Sequence, residues 1–406
     1  MKRLRKIIFW CHLPLGVTGG VIILVMAVTG VLLTYEKQMI AWADNNSSWI
    51  STPSPATVPV PIDTLIANAQ KERTSAPTAV TRRADPTSAI EVGFGRDAPV
   101  FVNPYTGEIV GSGSQRARSF FHTTTDIHRW LGAQGENRAV ARAITGACNL
   151  AFLALVITGF YLWWPKTLNW RAVKRIIWFR RKLRGQARDF NWHNTIGFWA
   201  AIPLFIVVIS AAPISYTWAG NLVYRMVGES PPPPRAAANQ QTADGRNKNA
   251  ESSPKAMASH HKLWESATAQ ISDWRSISMR VPAANDGRVV FTLDKSDGGQ
   301  PQNRAQLTFD RQSGAVVAWE PFATYSRGRQ IRSLLRFAHT GEVAGIAGQT
   351  IAGIASAAGA FLVWTGLALA WRRLWGWRRK RSRQEAPRDR NLGNLFPVQA
   401  DIEASE

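Results

Sequence analysis

The chain has 406 residues, 45% of them hydrophobic, and carries a formal charge of +22 from 49 Lys and Arg against 27 Asp and Glu. Its apolar residues are gathered into long runs, which excludes an ordinary soluble domain and places the chain in the membrane class. The basic residues cluster beside those runs, where they set topology and meet anionic lipid, so nucleic acid is excluded as the partner the charge would otherwise suggest.

Runs of about 20 mostly apolar residues predict spanning helices. They lie at Ile7 to Thr34, Ala143 to Trp164, Ile196 to Trp218 and Ile346 to Trp371. The first occupies residues 1–35. Its apolar stretch is too long for a secretory signal, and Thr34-Tyr35-Glu36-Lys37 lacks a small-residue cleavage site, so it reads as an anchor. Residues 36–137 form a first outer segment, opened by the linker "STPSPATVPVP"; residues 138–165 return as the second helix. A basic loop at 166–192, "WRAVKRIIWFRRKLRGQAR" at its centre, leads into the third helix at 193–219. A second outer segment, 220–338, begins with "ESPPPPRAAANQQTADGRNKNAESSP", whose composition predicts an extended or disordered linker. The fourth helix at 339–373 and a tail at 374–406 complete the chain. Lys2, Arg3, Arg5 and Lys6, the basic loop and "WRRLWGWRRKRSR" all fall on one side. They place both termini in the cytoplasm and the outer segments on the opposite side of a multi-pass membrane protein.

Both outer segments read as α+β. A short helical pattern ("IDTLIANAQKE", "HKLWESATAQI") precedes strand-like pieces: "AIEVGF" and "PVFVNP" in the first, "RSISMRV", "GRVVFTL" and "AQLTFD" in the second. Each closes a strand pair on a matching turn, Asn103 with Gly107 and Asp310 with Gly314. The chain is internally duplicated in this reading. An offset of 181 residues carries His12 onto His193, Gly16 onto Gly197 and Tyr35 onto Tyr216, while "TGFYLWW" and "TGLALAW" end the second and fourth helices alike. Two copies in one orientation imply a pseudo-twofold axis along the membrane normal.

Four of the seven histidines sit at helix mouths: His12 and His193 on the cytoplasmic side, His128 and His339 on the outer side. Residues related by a twofold axis face each other, so each pair is placed to clamp one haem iron. Two imidazoles alone leave zinc or copper short of ligands, whereas a porphyrin supplies the other four nitrogens. Two haem b groups, each bis-histidine and closed to other ligands, suit electron transfer. Gly16, Gly132 and Gly197 each follow a histidine by four residues and offer a surface without Cβ; Gly341 and Gly345 serve His339, and Gly19 and Gly20 extend the groove of the first helix. Arg129, Arg138, Arg142, Arg332 and Arg336 outside, with Arg5 and Arg188 inside, are placed to pair propionates. Singly, each histidine is also readable as a solvated or helix-capping residue and each glycine as packing. His122 is a rival ligand to His128. His260 and His261 open the second outer segment as a solvated helix start. Cys11 and Cys148 lie on different spans and indicate neither a disulfide nor a thiolate site.

The stretches "NPYTGEIVG", "IHRWLG", "TGFYLWWPK", "WHNTIGFWAAIPL" and "AHTGEVAG", in this order, resemble the PepSY-associated transmembrane family, and within it the inner-membrane reductases of siderophore-bound iron, over nearly the whole chain from Leu4 to Arg373. The resemblance implies a four-helix, two-haem core with two periplasmic PepSY-like domains, and His12, His128, His193 and His339 at the family's histidine positions. The chain departs from it in the "PPPP" linker and in "SAAPISYTW", where Pro213 stands in place of the usual Thr-Gly. The expected activity is reduction of a periplasmic ferric siderophore or other ferric chelate by electrons from quinol or a cytoplasmic reductase. A carrier with the same haems and another acceptor is one alternative. A non-enzymatic sensor or protease-regulating membrane protein is the other. No dinucleotide or Walker fingerprint appears, so bound nicotinamide or ATP is not expected.

Overall fold

The computed structural model describes residues 2–51, 54, 57–165, 169–233, 257–283 and 286–385; most of the Pro-rich linker and the end of the C-terminal tail lie outside these residues. Four helices among them are long and apolar enough to cross a membrane: Arg3–Leu33, Asn137–Trp163, Gly185–Ser215 and Glu342–Arg378. They belong to α1 (Lys2–Leu33), α6 (Asn137–Trp163), α8 (Gly185–Ser215) and α12 (Gly345–Glu385). At 1.5 Å per residue, even the shortest of these exceeds the roughly 30 Å of a hydrocarbon core. They pack as a bundle in which α1 touches α6 and α12, and α8 touches the same two.

Between α1 and α6 run α2 (Glu36–Ala43), α3 (Asn45–Ser48), α4 (Ile62–Lys71), β1 (Ala79–Arg83), β2 (Ile90–Phe94), β3 (Asp97–Val102), β4 (Ile109–Ser112) and α5 (Gln115–Trp130). A short helix, α7 (Trp170–Ile177), precedes α8. Between α8 and α12 come α9 (Thr217–Met226), α10 (His260–Ala269), β5 (Ser276–Arg280), β6 (Arg288–Asp294), β7 (Arg304–Asp310), β8 (Val316–Pro321) and α11 (Arg327–Thr340).

All eight strands join one antiparallel sheet in the order β4-β3-β2-β1-β5-β6-β7-β8. The two outer segments therefore share a single sheet, meeting at β1 and β5, where the hydroxyls of Thr81 and Ser278 bond at 3.0 Å. Alternating burial along β2 and β7 sends every second side chain to one face. There Val80, Val92, Ile277, Met279, Phe291 and Leu307 pack with Leu65 of α4 and Leu263 and Trp264 of α10 in one continuous core. Asp63 ties the two helices: its carboxylate accepts the backbone N–H groups of His260 (3.3 Å) and His261 (3.0 Å) and lies 2.6 Å from His260 Nδ1.

The two matched turns are alike in detail. Asn103 Oδ1 accepts from the Tyr105 N–H, Asp310 Oδ1 from the Gln312 and Ser313 N–H groups, and Gly107 and Gly314 take φ of +76° and +70°.

Candidate functional site

The four helix-mouth histidines fall into two groups at opposite ends of the bundle, and each imidazole is seated on a neighbouring spanning helix. His12, on α1, has Nδ1 2.8 Å from Thr158 Oγ1 on α6. His193, on α8, has Nδ1 2.9 Å from Thr365 Oγ1 on α12. At the sheet end, His128 Nδ1 lies 2.9 Å from Thr29 Oγ1 on α1, and His339 Nδ1 lies 2.8 Å from the Val207 carbonyl on α8.

These partners fix the tautomer. A threonine hydroxyl has one proton, and here that proton is committed along its own helix: Thr29 donates to Val25, Thr158 to Ala154 and Thr365 to Phe361. The oxygen then has only lone pairs to offer, so the ring nitrogen facing it must carry the hydrogen. A carbonyl can only accept, so the same holds for His339. In all four rings Nδ1 is the donor and Nε2 keeps an unprotonated lone pair, the form in which imidazole ligates a metal.

Glycines complete the seats. Gly159, Gly366 and Gly30 directly follow the three threonines, and a Cβ on them would stand 3.4, 3.5 and 3.5 Å from Cε1 of His12, His193 and His128. The Thr-Gly dipeptide thus seats an imidazole, with the hydroxyl at the ring nitrogen and the glycine lying against the ring. Thr29-Gly30 was not singled out from sequence, and the other two dipeptides counted there only as marks of a repeat. The signal was the recurrence of Thr-Gly opposite His12, His128 and His193, which only the pairing of helices makes visible. On α8 the offset of 181 puts Ser210-Ala211 where α1 has Thr29-Gly30. Ser210 turns its hydroxyl to Ile206 and Val207, and His339 takes the Val207 carbonyl instead. Pro213 is accommodated inside α8, which continues to Ser215.

At the sheet end the His128 and His339 ring centroids are 6.4 Å apart. Two imidazoles sharing one ion on opposite sides, each nitrogen about 2 Å from it, have centroids roughly 6 Å apart. Burial, reinforced by the charge of His339, pushes His128 down to about 4, and burial also lowers His339. Among the described residues, no three His, Cys, Asp or Glu side chains gather into a group able to hold a bare ion. The facing imidazoles of His128 and His339 fit an iron porphyrin, and His12 and His193 offer two imidazoles of the same seating at the other end.

The remaining predicted residues separate into those the structure brings to the pairs and those it does not. A Cβ on Gly16 or Gly197 would make ordinary van der Waals contact with Leu155 (3.8 Å) or Leu362 (3.6 Å), so both glycines pack against a neighbouring helix and neither opens a groove beside its histidine. Gly132 does not share a helical face with His128. Helix α5 stops at Trp130, Leu131 takes φ of +53°, and Gly132, at +77°, bonds its N–H back to the Asp126 carbonyl, closing the helix. Gly341 closes α11 after His339 in the same way, at φ of +77°. Gly20 packs against Val363 and Leu367 of α12, and so serves helix contact rather than a groove.

Arg129, Arg142 and Arg336 gather near the outer pair, close enough that burial and the charges of Arg142 and Arg336 lower Arg129. Arg142 also donates to the Ser215 and Ile214 carbonyls. Arg138 pairs Asp126 at 3.5 Å, and Arg332 lies against Gly220. At the opposite end Arg5 donates to the Leu162 carbonyl, and Arg188 is bound with Arg372 to the buried Asp189, at 2.9 and 3.0 Å. His122 is exposed and lies 3.6 Å from Asp126, so it is His128 that faces His339. His260 and His261 are structural, at the Asp63 junction.

The family model described as the PepSY-associated TM region matches residues 9–373 of the chain. No curated protein matches it.

Proposed function

We propose, given that the chain belongs to the PepSY-associated TM region family, that it is a di-haem b electron-transfer protein of the bacterial inner membrane. In this reading it reduces a periplasmic ferric siderophore with electrons taken from quinol or a cytoplasmic reductase. The observation that carries the reading is the common seating of the four imidazoles: each Nδ1 lies within 2.9 Å of an oxygen on another helix, two rings at each end of one bundle.

His12 and His193 would hold one haem and His128 and His339 the other. Each haem, when bound, would supply one-electron ferric/ferrous chemistry. The chain's own part is to fix ring orientation and to keep the path within packed helices, and Arg129, Arg142 and Arg336 would offer positive charge to haem propionates. Two levels divide a distance of roughly 30 Å that one centre would not cover. The sheet end then faces the periplasm, with both termini cytoplasmic, in accord with the basic residues around α7 and at the end of α12. The outer sheet consists of two PepSY-like halves arising from duplication, supported by the palindromic strand order and the matched turns. A ferric siderophore gains from reduction because hard oxygen ligands hold ferrous iron more weakly.

Purified protein should show a b-type α-band after dithionite and two haems per chain. Anaerobically reduced protein in liposomes should be reoxidised by ferric siderophores. A colourless, folded preparation would overturn the proposal in favour of a sensor or protease-regulating protein. Haem without reoxidation by any ferric chelate would leave an electron carrier with another acceptor.

A further inference from the structure

We infer that Thr158, Thr365 and Thr29 are positioning residues that set the redox potential of the two centres, and that the outer centre is built unequally because His339 leans on a backbone carbonyl. This rests on the haem reading above and goes beyond it. Each of these threonines touches a ligand ring, not the iron. Each donates its only proton to a carbonyl of its own helix, at 2.6 Å for Thr158, 2.9 Å for Thr365 and 2.7 Å for Thr29. That donation leaves its oxygen a purely accepting and more electron-rich partner for Nδ1–H. Accepting from Nδ1–H raises the basicity of Nε2, and a more basic ligand favours ferric over ferrous iron. The inner centre has two such hydroxyls, on Thr158 and Thr365. The outer centre has one, on Thr29, plus the Val207 carbonyl, because Ser210 turns away. Side-chain substitution therefore reaches both ligands of the inner centre and only one of the outer.

The test is spectroelectrochemical titration of full-length protein carrying Thr158→Val, Thr365→Val or Thr29→Val, each beside its Thr→Ser counterpart, with low-temperature EPR of the oxidised forms. Valine keeps the shape and removes the acceptor. Each valine variant should raise one midpoint, the inner for Thr158 and Thr365 and the outer for Thr29. A tenfold loss of preference for the ferric state corresponds to about 59 mV. Serine should restore the wild-type value, and the low-spin EPR signal of the affected centre should shift with the midpoint. Loss of one haem from a valine variant, with retention in its serine counterpart, also supports the assignment. Unchanged midpoints and EPR signals in loaded valine variants would overturn it, as would equal haem loss from valine and serine, which would mark the residues as packing only. Wild-type protein without haem would instead overturn the functional reading on which this inference stands.

Discussion

The turn that follows His339 offers a sharp test of how the outer pair is held. Gly341 sits at φ of +77°, where a side-chain-bearing residue loses about 1–2 kcal/mol. A Cβ there would also collide with backbone: the Gly348 carbonyl oxygen falls inside contact distance, its carbon lies 2.6 Å away and the Gln349 nitrogen 2.8 Å. Those atoms belong to the first turns of α12 and have no rotamer with which to retreat. Overpacking of this kind adds about 1–3 kcal/mol, giving roughly 2–5 kcal/mol for Gly341→Ala. The strain is most cheaply relieved by moving the end of α11, which carries His339. The natural control is Gly135→Ala, at φ of +57° with no heavy atom within 4 Å of the new Cβ, which isolates the conformational part alone. Haem stoichiometry by pyridine haemochromogen and thermal unfolding in detergent should separate the two. Gly135→Ala should keep both haems, while Gly341→Ala should lose the outer one and melt several degrees lower. If both variants load and melt alike, the turn is not what positions His339.

Other outcomes follow from the same geometry. His193→Ala should reduce haem content from two per chain to one, read from the α-band, and protein that keeps both would remove His193 as a ligand. His122→Ala should leave haem content and midpoints unchanged, since that ring is exposed beside Asp126; loss of the outer haem would reinstate it as the ligand. Asp63 is held below the usual carboxylate range: burial would raise it, but the His261 N–H and the His260 ring outweigh burial. A depressed carboxylate contributes stability above its unfolded value of about 3.9 and loses it as pH falls through the lower folded value. Asp63→Asn should therefore melt below wild type at pH 7, by about 1–2 kcal/mol for a partly exposed helix-terminus carboxylate, with the gap narrowing as the pH approaches 3. A gap independent of pH would show that charge at this junction is not what matters.

Much of the architecture is written locally and could be read without coordinates. Apolar length marks α1, α6, α8 and α12 because a hydrocarbon core demands it, and the Asn103/Gly107 and Asp310/Gly314 turns announce themselves because only certain residues satisfy their geometry. The histidines stood out for a similar reason, as titratable rings at the ends of apolar runs. What escaped were features that depend on partners distant in sequence. Strand β1 reads as an unremarkable "AVTRR", and its importance comes from β5. Helices α5 and α11 are amphipathic and basic, so they were absorbed into the outer segments, and the break at Leu131 and Gly132 was mistaken for a continuing helical face. The Thr-Gly seats were in plain view as dipeptides. Their meaning depends on which helix lies opposite, and sequence spacing cannot say that.

The seam between β1 and β5 also bears on how such a chain is made. The interval from Arg83 to Ser276 includes two helices long and apolar enough to cross a membrane, so the first four strands are made, and wait with one border of β1 bare, until α6 and α8 have been synthesised and β5 follows. Such a border is a template for any extended polypeptide nearby. A transcript truncated before β5 would deliver that half-sheet permanently open, and the most complementary strand available to it would be β1 of another truncated molecule.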